Sequence, residues 1–119
     1  MATVEPTQPI AQAPVDYSAE VARARALAER YRQEYVDMDN FRIDQELFRA
    51  IPADLMLRYG FVPHRREGQS LVIVVSDPTD LPMIDELSVV LGTPVKVTVG
   101  APSAIQSILK KSESSQRVL

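Results

Sequence analysis

The sequence predicts one α+β domain, a two-layer α/β sandwich with the core order β-α-β-β-α-β-α and an extra helix in front of it. Two observations carry this prediction. Strand patterns alternate with amphipathic helix patterns between residues 35 and 111, and the run 71–75 is apolar throughout, which is typical of a central strand buried on both faces. With 119 residues, the chain is long enough for one such domain.

The N-terminal third is predicted to hold a lead and one helix. Residues 1–17 contain three prolines and show no periodicity, so we expect a disordered lead. Ser18 is the expected N-cap of an amphipathic helix over residues 18–34. Its apolar face is formed by Val21, Ala24, Leu27, Ala28 and Tyr31.

Residues 35–60 predict a short strand and two short helices. The β-prone segment Tyr35–Met38 is expected to be an edge strand. Asp44 is expected to cap a helix over residues 45–50, and Pro52 opens another that ends at Gly60, which suits the left-handed conformation at a helix end.

The remaining residues predict three strands and two helices. A strand at 61–67 is joined through Gly68 and Gln69 to the central strand in a hairpin. Asp80 is expected to cap a helix, and the alternation at 95–99 predicts a half-exposed strand. Pro102 opens a last helix that reaches about residue 111, and 112–119 has no clear period. The inward-facing residues of the helix after Asp80 are expected to be Ile84, Leu87, Val90 and Leu91.

Composition narrows the classes of function. The formal net charge of −3 gives no general attraction to nucleic acid or to anionic membranes. The chain has no cysteine, which excludes disulfides and thiolate metal sites. It has neither a secretory-signal pattern nor an apolar run near the roughly 18 residues of a membrane span, so we expect a cytoplasmic protein without direct membrane insertion.

The residues that usually carry catalysis are sparse. His64 is the only histidine and has no nearby nucleophile or second metal ligand. Asp77 and Asp80 are explained as the end of a strand and a helix cap. The four glycines form no phosphate-binding motif. We therefore predict no catalytic, cofactor-binding or metal-binding residue, and an autonomous enzyme is the weakest hypothesis.

Arginines are the candidates for contact with a partner. Arg58, Arg65 and Arg66 could form a small basic patch near the hairpin, which raises the hypothesis of an RNA-binding module. The base-stacking aromatic residues and the GxxG loop of such modules are missing, so a solvated strand face is preferred. Arg23 and Arg30 of the first helix could bind an acidic partner.

Several segments, in this order and spacing, resemble a known family, the N-terminal domain of type II secretion and type IV pilus assembly ATPases (the general secretion pathway protein E family). These segments are 27–31, 35–39, 51–55, 58–63, 71–78 and the helix end at 91–92. The resemblance implies a non-catalytic adaptor that docks the ATPase to the cytoplasmic domain of an inner-membrane platform protein. It also implies a peripheral location at that membrane.

The same resemblance implies a hexameric parent protein whose ATPase core lies outside this chain, after a linker that starts at residues 112–119. Some relatives bind cyclic di-GMP through Arg-Leu-Gly triads, and this sequence has none. Because the resemblance includes such relatives, a cyclic di-GMP-sensing domain is the alternative hypothesis, although the missing triads argue against it. The choice between a secretion and a pilus system stays open.

Overall fold

A computed structural model describes the backbone of residues 16–117 and the side chains of residues 16–111. These residues form helices and a three-stranded sheet, which confirms the α+β class. In chain order the elements are α1 (Tyr17–Arg30), a 3₁₀ turn (Met38–Asn40), α2 (Gln45–Ala50), α3 (Ala53–Tyr59), β1 (Val62–Glu67), β2 (Ser70–Val75), α4 (Leu81–Leu91), β3 (Val95–Val99) and α5 (Pro102–Arg117).

Strand β2 lies at the centre of the sheet. It pairs antiparallel with β1 and parallel with β3. Residues 71–75 are all buried, because both faces of a central strand are covered. Gly68, with φ of 59°, makes the tight hairpin from β1 to β2 possible. A bulge between Pro63 and Arg65 shifts the register of β1.

The expected strand at Tyr35–Met38 is reduced to a single bridge. Tyr35 pairs with Val99 of β3, and two backbone hydrogen bonds hold it: Val36 N–H to Val99 O (2.8 Å) and Val99 N–H to Glu34 O (2.9 Å). The extended segment ends there because the Asp37 side chain accepts the N–H of Asp39 (3.1 Å) and starts the 3₁₀ turn. Local side-chain bonding therefore overrides β propensity here.

Helix α1 packs on the domain. Its N-cap is Asp16 rather than Ser18, since the Asp16 side chain accepts Ala19 N–H at 3.2 Å. Ala24 and Ala28 are buried against Val99 of β3. The two small side chains let the helix lie close to the strand.

Two further details differ from expectation. Val90 of α4 is 48% exposed, so its assignment to the inward face was wrong. The face that packs inward follows Ile84, Leu87 and Leu91, and Val90 lies about 90° around the helix from the middle of that stripe. Helix α5 also continues to Arg117 instead of ending near residue 111.

Among the helices of residues 16–117, none is both long enough and apolar enough to cross a membrane.

Candidate partner-binding surface

Four alternately charged side chains line a groove of about 460 Å³ on one face of the sheet; we call this the charged groove, and it consists of Glu34, Arg65, Glu67 and Lys96. Arg65 and Glu67 point to the same face because they are two residues apart on β1. The register places Val72 of β2 opposite both Arg65 and Lys96, so Val72, which is buried, forms the floor.

Ion pairs connect these side chains across the three strands. Arg65 Nη2 lies 2.6 Å from Glu67 Oε2 and 3.1 Å from Glu34 Oε1, and Lys96 Nζ lies 3.2 Å from Glu67 Oε1. Hydrogen bonds from Arg65, then from Lys96, lower the pKa of the Glu67 carboxyl. Two cations and two anions leave the groove without net charge, and because the pairs are partly exposed their contribution to stability is small.

His64 stands beside the groove as a structural residue. Its ring lies 5.3 Å from the ring of Phe41, and its Nδ1 is 2.9 Å from Arg65 Nη1. Arg65 can only donate, so Nδ1 accepts this bond. Burial first, and then the charge of Arg65, lower the pKa of His64, which favours a neutral ring at pH 7. Nothing in this described environment supplies the partner that a catalytic histidine needs.

The three arginines of the hairpin region line three different cavities. Arg65 belongs to the charged groove. Arg58 lies beside a cavity of about 280 Å³ that also contacts Asp77 and Asp80, and Arg66 lies beside one of about 330 Å³ with Asp44. Acidic side chains therefore accompany all three arginines, which weakens their attraction for a polyanion.

The arginines of α1 are exposed on the surface. Arg23 and Arg30 are seven residues apart, two turns of helix, and so lie on the same side. Arg30 lies over the ring of Tyr31 at 5.7 Å. Sequence reasoning did not name Glu34, Glu67 and Lys96. The i, i+2 spacing of Arg65 and Glu67 was the available signal, but their link to Lys96 required the register of the sheet.

The aspartates after β2 serve the turn. Asp77 accepts the backbone N–H of Thr79 at 2.9 Å as well as its hydroxyl, and these two bonds lower the pKa of Asp77. Asp80 caps α4 by accepting Met83 N–H at 3.3 Å. Within the described residues, no group of three or more His, Asp or Glu side chains is placed to hold a metal ion.

A family model described as the MshEN domain matches residues 31–119. The chain belongs to the MshEN domain family. The match covers the bridge at Tyr35, the whole sheet and helices α2 to α5.

Relatives in sequence are named as pilus ATPases. The type IV pilus assembly ATPase PilB of Thermus thermophilus is 36% identical over 70 residues, which are 59% of this chain and 8% of that protein. The PilB of Myxococcus xanthus is 20% identical over 85 residues, 71% of this chain and 15% of that protein. This chain therefore spans only a small part of the relatives it matches.

Solved structures share the fold. The N-terminal domain of XpsE superimposes with a TM-score of 0.63 at 20% identity, covering 76% of this chain and 64% of that one. A structure of MshE with cdg gives a TM-score of 0.67 at 19% identity, covering 75% and 65% of the two chains. This MshEN domain is thus similar in sequence to a part of type IV pilus assembly ATPases and shares its fold with the N-terminal domain of XpsE.

Proposed function

We propose that this MshEN domain is a non-catalytic docking module that attaches a secretion or pilus assembly ATPase to the cytoplasmic domain of an inner-membrane platform protein. Its family membership, together with relatives named as pilus assembly ATPases, is the observation that carries the proposal. In this proposal the parent protein is a hexamer through an ATPase core outside these residues, and it lies in the cytoplasm at the membrane through its partner.

The chemistry of the surface supports docking over catalysis. The charged groove is neutralised internally, and His64 is engaged by Phe41 and Arg65. Docking of one protein on another needs neither a nucleophile nor a general base. It needs a rigid surface with well-placed charges, which the paired side chains on the sheet supply.

We name five arginines as partner contacts in this proposal: Arg23, Arg30, Arg58, Arg65 and Arg66. The exposed pair on α1, Arg23 and Arg30, is best placed to meet an acidic partner, because no hydrogen bond or salt bridge within the described residues occupies either guanidinium. Arg65 is already paired with Glu34 and Glu67, so its replacement would also disturb the groove.

Interferometry with the purified cytoplasmic domain of the cognate platform protein tests the proposal. The double charge reversal Arg23→Glu with Arg30→Glu should weaken binding about tenfold or more, and the loss should shrink at high salt. Arg42→Glu with Arg49→Glu, a double reversal at exposed arginines that are not among the five, is the matched control and should bind like the parent chain. Absence of binding by the parent chain to any platform component would refute the docking function.

A cyclic di-GMP-sensing domain is the second candidate. One structural neighbour, MshE, was solved with cdg, and this domain shares its fold. The sequence has no Arg-Leu-Gly triad, which argues against it. Titration calorimetry with cyclic di-GMP separates the two: saturable heat at micromolar nucleotide supports the sensor, and no heat leaves docking as the function.

A further inference from the structure

We propose that the outer edge of β3 binds an extended segment of a partner protein, which adds to the sheet as a further strand. We call this edge, the outward backbone groups of Val95 and Val97, the open edge. The inference deepens the proposed docking function and rests on it for the claim that the partner is a protein. A synthetic peptide serves as the probe for this edge, so the outcome of the test does not depend on which platform protein the domain recognises.

The hydrogen bonds fix which way each residue of β3 points its backbone. Leu71 N–H donates to Pro94 O (2.8 Å) and Gly100 N–H donates to Val75 O (2.9 Å), so the even-numbered residues face β2. Val99 bonds in the opposite direction, to the segment around Tyr35. Because backbone direction alternates along a strand, Val95 and Val97 also direct their N–H and C=O groups outward.

The chain's own segment around Tyr35 pairs with only the last residue of the β3 edge, Val99. In the parallel register set by Tyr35 and Val99, the residue that would lie beside Val97 is Gln33. The groups that would bond to Val97 in this register are Arg32 C=O and Glu34 N–H, and neither does so, because the chain there is in the closing turn of α1, where Gln33 N–H bonds to Ala28 O (2.8 Å). Arg32, with φ of 58°, makes that turn and leads the chain away. Among the hydrogen bonds formed within residues 16–117, none reaches the outward groups of Val95 or Val97.

The surroundings of the open edge define the chemistry of the added strand. The groove extends around the edge: Leu81, 62% exposed, and the side chains of Val95 and Val97 lie on one side of it, and Lys96 and Glu34 line it as well. Lys96 is on the opposite face of the strand from the two valines. A matching segment would alternate, with valine or isoleucine beside Val95 and Val97 and an acidic side chain beside Lys96.

Two features of the open edge favour a segment of another protein over a second copy of this chain as its occupant. A lysine on an edge strand usually guards it, but Lys96 reaches inward across β2 to Glu67 at 3.2 Å. A second copy of the chain is disfavoured as the occupant. If two β3 strands paired antiparallel with Val95 of each opposite Val97 of the other, the two Lys96 side chains would lie opposite each other. A separate protein segment that places an acidic residue beside Lys96 avoids this pairing of two lysines.

The test is an NMR titration of the full chain with the peptide acetyl-Lys-Val-Glu-Val-Lys-amide. Its palindromic order allows it to pair in either direction. We expect millimolar affinity, with the largest amide shifts at Val95 and Val97 and increased protection of both N–H groups from exchange. The same peptide N-methylated at every residue lacks the donors for the ladder in either direction of pairing and should bind about tenfold more weakly.

Two variants of one residue test the backbone directly. Val97→Pro removes the outward N–H while leaving the pairing with β2, which uses residues 96 and 98, in place. It should weaken the peptide about tenfold, and Val97→Ala, which keeps the N–H, should stay within about threefold. Should Val97→Pro fail to fold, the N-methylated peptide still decides the question on the parent chain.

Three results would overturn the proposal. The first is an absence of shifts at Val95 and Val97 at millimolar peptide. The second is equal binding of the N-methylated peptide. The third is protection of the Val97 N–H in the free chain that disappears when residues 1–15 are deleted, since this would make the chain's own segment the occupant. If the domain bound the peptide but no platform protein, the platform protein would be excluded as the partner, and the open edge would remain a site for docking another protein.

Discussion

Glu20 is the residue on which the docking of α1 should depend most. One of its carboxylate oxygens accepts two hydrogen bonds from Ser103 at the start of α5: from the backbone N–H at 3.1 Å and from the hydroxyl at 2.8 Å. The bonds join residues 83 positions apart and are partly buried. They also satisfy one of the amide groups that every helix leaves unpaired at its N-terminus.

The magnitude follows from these two bonds. A hydrogen bond to a charged group contributes about 1.5–3 kcal/mol when well buried, and partial exposure reduces this. We expect Glu20→Ala to lower the free energy of unfolding by about 2 kcal/mol, which corresponds to about 8 °C in Tm for a chain of this size. Urea denaturation followed by circular dichroism measures the change.

A double-mutant cycle with Ser103→Ala isolates the contact. The two replacements should couple by about 1 kcal/mol, the part carried by the hydroxyl, because the backbone N–H of residue 103 remains. Glu20→Gln keeps an acceptor of the same shape and should cost less than Glu20→Ala. A coupling near zero, or equal losses for Glu20→Gln and Glu20→Ala, would refute the view that this carboxylate holds α1 to the core.

Three other changes test separate parts of the fold by the same denaturation assay. Arg32→Gly should stabilise the chain by about 0.5–1 kcal/mol, because a left-handed φ of 58° strains any residue with a Cβ; a loss of stability would contradict this. Gly100→Ala should destabilise the chain by about 1–3 kcal/mol, since the new Cβ would lie 2.7 Å from Val74 Cγ1. An unchanged urea midpoint would contradict this, because it would mean that the neighbouring side chains move aside without cost. The pKa of His64 is lower in the folded state than in the unfolded state, so the unfolded state takes up the proton first and stability should fall as pH drops below about 6.5. His64→Gln should remove that part of the pH dependence, and an identical pH profile for both chains would contradict the assignment.

The success of the sequence reading depended on how local each signal was. The uninterrupted apolar run of β2 and the caps Asp80 and Gly60 act within a few residues, and each was predicted correctly. The strand expected at Tyr35 failed because its propensity competed with the equally local turn made by Asp37. Both signals are present in the sequence, and the Asp37 turn limits the strand to the single bridge between Tyr35 and Val99.

The charged groove was beyond sequence reasoning for a different reason. Arg65 was named as a partner contact because it lies in a basic cluster along the chain. In the fold it is paired with Glu34, 31 positions away, and it shares Glu67 with Lys96, 29 positions further on. The net charge of a sequence segment therefore does not predict the charge of a sheet face, where neighbouring side chains come from different strands.

The docking of α1 and the open edge should be linked, because α1 leads directly into the segment that covers Val99. Loss of about 2 kcal/mol from Glu20→Ala would raise the population in which this segment is released about 30-fold. The Val99 N–H, bonded to Glu34 O, should then exchange about 30-fold faster, with a weak dependence on denaturant because the opening is local. The Gly100 N–H, bonded to Val75 O of the central strand, is the internal control and should exchange only through global unfolding, with a steep dependence. If the two amides showed the same denaturant dependence, α1 would not open separately, and the edge of β3 would stay fixed at Val95 and Val97.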